Sequence, residues 1–139
     1  MKTHKHAFPL KHLMVMTAAG TLDLNASKVA LKSLVADPDF DEQYEVLLDL
    51  RGIECAMSTV HIYELAKHMA FPNPALPTNK KIAVLVDGNF AFDHAQFLEM
   101  CAGNRGLNLR AFESYGKAND WLNAELPEDR NQVAALVGA

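Results

Sequence analysis

Lysine and arginine form no run or stripe in this chain, so the usual electrostatic footprint for nucleic acid is missing. Cysteine is scarce: Cys55 and Cys101 stand far apart and outside any Cys-x-x-Cys spacing. That spacing gives no support to a zinc or redox motif and leaves two reduced, buried thiols as the expectation. No stretch approaches the roughly 18–20 continuous apolar residues of a membrane span. Polar residues, Lys2, Lys5 and Lys11 among them, interrupt the N-terminus where a signal peptide needs an apolar run. Neither Gly-x-x-x-x-Gly-Lys nor Gly-x-Gly-x-x-Gly occurs, which removes those two devices for holding a nucleotide. His61, His68 and His94 make no His-Glu-x-x-His or other metal spacing. The expectation is a cytoplasmic protein with no cofactor, no metal, no nucleic-acid partner and no stable membrane insertion.

What is present suits one globular domain. The 139 residues are 50% hydrophobic and 22% charged, with a net charge of -4, and a chain of this length buries enough surface to fold without a metal or disulfide. Four apolar stretches read as strands: His12–Ala18, Tyr44–Leu50, Ile82–Val86 and Leu107–Phe112. The first three are apolar on both sides, as strands with both faces covered are. The fourth alternates, with Leu107, Leu109 and Ala111 on one face, which predicts a position towards a sheet edge. His4–Phe8 is either a frayed terminus or a further edge strand.

Helical spacing falls between these strands. Asp23 or Asn25 is placed to cap a helix carrying Leu31, Leu34 and Val35, and Asp37-Pro38 ends it. Ser58 or Thr59 caps a second, in which Ile62, Leu65, Ala66 and Met69 form one stripe and Met57 faces Ile62 as a hydrophobic staple. A third runs from about Ala91 to Ala102, with Asp93 and Gln96 as a capping box, Gly103 as a left-handed stop, and Phe97, Met100 and Cys101 inward. Ser114 caps a fourth, which Trp121 pins to the sheet. The prolines at 72, 74 and 77 make a stiff loop. This alternation builds an α/β domain with a largely parallel sheet and helices packed on it. The expected divisions are 1–11 as N-terminal segment or edge strand, 12–125 as the α/β domain, and 126–139 as a tail or docking helix.

Ligands of an open α/β sheet gather beyond the carboxyl ends of its strands. The loops there carry Asp49 and Arg51, then Asp87, Asn89 and Phe90, then Glu113 and Ser114. Asp49 and Asp87 are either ligand groups or caps for nearby backbone N–H groups, and Arg51 either binds an anion or pairs with Asp49 or Glu54. Ser58 is either a plain helix cap or a phosphorylation site at a helix start that tolerates the added charge. A triad of Ser58, His61 and an aspartate lacks the Gly-x-Ser-x-Gly elbow of a serine hydrolase, which leaves that reading remote.

Three runs together resemble a family: Leu48-Asp49-Leu50-Arg51-Gly52, Lys81-Ile82-Ala83-Val84-Leu85-Val86-Asp87, and Phe112-Glu113-Ser114 leading to Ala118 and Trp121-Leu122. In this order and spacing, over His12 to Ala124, they look like the STAS-like group. That group is related to bacterial anti-sigma-factor antagonists and is often placed with the CRAL-TRIO lipid carriers. The resemblance implies a mixed, mostly parallel sheet with an antiparallel strand near the start and helices largely on one face. It also sets the antagonists' phosphorylated serine on Ser58, with Thr59 beside it. Met57 and Val60 depart from that motif, standing where the antagonists have aspartate and glycine, and bring the chain closer to the carrier-like branch. The implied function is non-enzymatic binding of a regulatory protein, with a small apolar, lipid-like ligand as the alternative and homodimerisation left open. A ligand pocket between sheet and helices would be lined by Phe90, Phe92, Phe97 and Met100.

Overall fold

The structure is a computed structural model and describes residues 1–70, 76, 79–88 and 90–124. The proline loop except Leu76, Asn89, and the expected tail from 126 onward therefore lie outside the described residues. Strands β1 (Lys2–Phe8), β2 (Leu13–Ala19), β4 (Glu45–Asp49), β6 (Lys81–Leu85) and β7 (Asn108–Phe112) form a 5-stranded sheet in the order β1-β2-β4-β6-β7. β1 runs antiparallel to β2 and the other pairs are parallel. Two short strands, β3 (Thr21–Leu22) and β5 (Glu54–Cys55), pair in a separate parallel ribbon. The α-helices among the described residues are α1 (Leu24–Ala36), α2 (Thr59–Ala70), α3 (Phe92–Gly103) and α4 (Tyr115–Leu122).

The apolar strands explain the layering. Alternate residues of a strand point to opposite faces. On one face Met14, Met16, Val46, Leu48, Ile82, Val84 and Leu109 pack against buried residues of α1, α2 and α3. On the other, Leu13, Val15, Leu47, Ala83, Leu85 and Phe112 cluster with Ala118 and Leu122 of α4. The inner strands β4 and β6 are covered on both sides, as their apolar runs demand, whereas β7 leaves Asn108 and Arg110 exposed. β7 lies at the edge, and Glu99 of α3 accepts the Ala111 N–H at 2.8 Å, which satisfies one of its backbone donors.

Local chemistry sets most of the boundaries. Asp23 accepts from the Ala26 N–H at 2.7 Å and begins α1. Asp37, extended ahead of Pro38, ends it. Ser114 accepts from the Lys117 N–H at 3.3 Å and begins α4. Three expectations for the helices fail. Val35 and Met100 face solvent, Met100 at 55% exposure, because the inner stripes run through Leu31 and Leu34 and through Ala95, Leu98, Cys101 and Ala102. Asp93 lies inside the first turn of α3, behind Ala91, so it meets the helix dipole rather than capping. Gly103 is still helical; the left-handed residue is Gly106, at φ 87°. Trp121 is half-buried, packing on Phe112 at 5.6 Å with Lys81 Nζ over its ring at 5.4 Å.

The edge strand carries a pH-sensitive group. Partial burial, with a smaller effect from His4, holds the His6 imidazole below its ordinary value of 6.5. The unfolded chain then takes up the proton more readily, so the stability from neutral His6 is present above about pH 6.5 and is lost as the pH falls through the lower folded value. In urea unfolding, His6→Gln is expected to lose less stability than the parent between pH 7 and pH 5. Equal losses would show that His6 does not titrate differently on folding.

Candidate functional site

Two groups of residues gather where the sequence places candidate sites. The first is the rim at the carboxyl ends of β4 and β6. Asp49, at 3% exposure, is one of two buried polar or charged residues among those described. Its carboxylate accepts from Arg51 Nε at 3.0 Å, from Arg51 Nη2 at 2.9 Å and from the Arg51 backbone N–H at 3.2 Å. This two-pronged pairing fixes the guanidinium plane, and the Arg51 guanidinium lies 5.2 Å from the centre of the Tyr115 ring. Asp87 accepts the Gly52 N–H at 2.7 Å. Gly52 has φ 85°, which a side chain would strain, so glycine lets the loop after β4 turn back to Asp87.

The rim is thus tied through Asp49, Arg51, Gly52, Asp87 and Tyr115, joining the loop after β4 to the end of β6 and the start of α4. Of the two acidic partners the sequence offers, Arg51 pairs with Asp49. Both aspartates accept backbone N–H groups, which is ample physical reason for their positions. Phe90 does not belong to the rim. At 1% exposure it is core, because the turn after β6 folds its ring beneath the helices. Asn89 lies outside the described residues. Tyr115, which stacks on Arg51, escaped the sequence reading; an aromatic just inside a helix start gave no signal that it would meet a cation sixty-odd residues earlier.

The second group is the start of α2. Ser58 and Thr59 are both exposed. Ser58 Oγ accepts the His61 N–H at 3.4 Å, and His61 Nδ1 accepts the Ser58 N–H at 3.4 Å. This is a reciprocal cap, with histidine in the place usually held by glutamate or glutamine. The serine oxygen therefore meets the backbone of His61, and the imidazole meets the backbone of Ser58. Val60, at 68% exposure, and Tyr63, at 46%, continue the outer surface, and Arg105 stacks on the Tyr63 ring at 5.2 Å. Ile62 is buried and belongs to the core, not to this surface. Met57 and Ile62 are both buried on either side of the cap, as a staple requires.

A cavity of about 50 Å³ lies between the sheet and α1, α2 and α3, beside the β3–β5 ribbon. Phe90 contributes to its wall, but Phe92, Phe97 and Met100 do not; methionines and aliphatic residues take their place. Among the described residues Ser27 is the sole polar one of the wall, and its hydroxyl donates to the Asp23 carbonyl at 2.7 Å.

Among the described residues, no three His, Cys, Asp or Glu side chains gather as metal ligands do, and no helix is long and apolar enough to cross a membrane. No protein-family model and no curated protein matches the chain.

The rim pair makes a stability prediction. Arg51→Ala leaves the Asp49 carboxylate buried without its guanidinium. Removing one partner of a fully buried pair costs about 3–5 kcal/mol, and the partial exposure of Arg51 brings the expected loss to about 2–3 kcal/mol. Urea unfolding measures it, and a loss below about 0.5 kcal/mol would show the pair to behave as a surface one.

Proposed function

We propose that this chain is a non-enzymatic, STAS-like binding domain that acts in the cytoplasm by protein–protein interaction, as anti-sigma-factor antagonists do, with the start of α2 as its recognition surface. One observation carries the reading: Ser58 caps an exposed helix start flanked by the exposed side chains of Thr59, Val60 and Tyr63. A hydroxyl there is open to phosphorylation, and the helix dipole accommodates the phosphate, about -1.5 to -2 charges at neutral pH, without unfolding the domain. A partner with carboxylates on its docking face is repelled by the same charge. The antiparallel β1 and the placement of α1, α2 and α3 on one face are in keeping with the resemblance.

The apolar cavity favours a second reading, in which the chain carries or senses a small apolar ligand. Its size weighs against a whole lipid. Pockets for drug-sized ligands hold roughly 300–1,000 Å³, and a cavity of about 150 Å³ accepts benzene. At about 50 Å³ this one admits two or three heavy atoms, worth at best about 1.5 kcal/mol each. Binding within that volume is no tighter than about millimolar. The partner reading therefore leads.

A photo-crosslinker at position 60 tests it in extract of the native cells, with position 29 on α1, equally exposed, as reference. The expected result is one protein adduct specific to position 60 that Ser58→Glu weakens at least tenfold and Ser58→Asn, which keeps the cap, does not. The same adducts at both positions, or indifference to Ser58→Glu, would contradict the reading.

A further inference from the structure

We infer that the cavity is a binding site for a compact, uncharged apolar molecule, and that its occupancy is read out at the start of α2 through Met57. The inference rests on α2 as the recognition surface and adds the signal that would govern it.

The chain's methionines divide sharply. Met1, Met16, Met57 and Met69 line the cavity, whereas Met14 and Met100 do not. Methionine is unbranched, flexible and polarizable, so a wall built from it yields where one of valine and isoleucine would not. Among the described residues no charged side chain lines the cavity, and the one wall hydroxyl, on Ser27, already has its proton engaged by the Asp23 carbonyl at 2.7 Å. A hydroxyl has a single proton to donate. A polar ligand would thus bury groups without partners, at a cost that an apolar one avoids.

Met57 differs from the other three in where it sits along the chain. Its sulfur lies 3.6 Å from the Ser27 hydroxyl of α1. On one side, the Glu54 N–H donates to the Gly20 carbonyl at 3.1 Å and the Ala56 N–H to the Leu22 carbonyl at 2.8 Å, which fixes the strand before it. On the other side is Ser58, the cap of α2. Met57 is therefore the single residue between a pinned ribbon and the recognition surface, and its side chain is a wall of the cavity. A guest larger than this volume extends past the exposed Met1 or displaces a wall side chain, and the flexible Met57 is among those that yield most easily. Displacing Met57 moves it against a fixed β5, so the motion passes to Ser58, whose 3.4 Å bonds with His61 are the long, easily broken ones of the cap. The ligand shifts the cap only as far as it binds the displaced arrangement better.

Spectra of the full chain with ¹³C-labelled methionine methyls and ¹⁵N amides, recorded under increasing xenon pressure and separately with n-pentane, test this. Saturable shifts are expected at the methyls of Met16, Met57 and Met69, with Met14 and Met100 unmoved. The amides of Ser58–His61 are expected to follow the same curve, and exchange of the His61 amide with solvent to rise at least threefold with pentane. Ala30→Val, which fills part of the cavity, should suppress the shifts. Immobile cavity methyls, or shifts that survive Ala30→Val, would overturn the ligand site and leave the partner reading standing. Methyl shifts with unmoved Ser58–His61 amides would overturn the read-out alone. Failure of the partner reading shows separately, in the crosslinking pattern.

Discussion

Strands β4 and β6 carry almost no polar side chain before Asp49 and Asp87, so both faces of the sheet have to be shut away from water. Everything else in the molecule answers that requirement. Leu47 and Leu48 are successive residues and both are buried, one in each layer of core. At roughly 25 cal/mol per Å² of apolar surface, leaving either face open would remove the main driving force for folding. Helices α1, α2 and α3 shut one face; α4 with Trp121 contributes to shutting the other.

Closing both faces leaves the strand ends and helix starts, with the outer helix faces and the edge strands, as the places where polar chemistry can meet solvent. The chain uses the two differently. At the ends of β4 and β6, Asp49, Arg51, Gly52 and Asp87 bond to one another and brace the loops. At the start of α2, the polar atoms of Ser58 and His61 satisfy each other weakly and face outward. The rim is braced while the helix start is lightly held, and the proposed partner recognition draws on that difference.

Much of this was legible in the residues. Runs such as Ile82–Val86 admit little besides a buried parallel strand, and Asp23, Ser58 and Ser114 announce helix starts through a local bond. Periodicity left His4–Phe8 open as a frayed terminus or an edge strand, since His4, Lys5 and His6 are polar; the antiparallel direction of β1 is implied only by the resemblance. The failures share a cause. Met100 and Val35 stand at helical spacing within one segment, whereas their exposure depends on the angle at which that segment meets the sheet. The cavity wall was misassigned for the same reason. Met16, Met57 and Met69, distant in sequence, converge only in the folded chain, where Phe92 and Phe97 stand outside the wall. The stacking of Arg51 on Tyr115 likewise joins segments that no local pattern connects.

The central claim is that one surface, the start of α2, does the recognising. Amide hydrogen exchange on the chain alone and bound to the crosslinked partner tests it most directly. The account predicts new protection confined to residues 58–64 and the adjoining end of α3. Protection centred instead on the opposite rim, around residues 9–12 and 43–45, would contradict it.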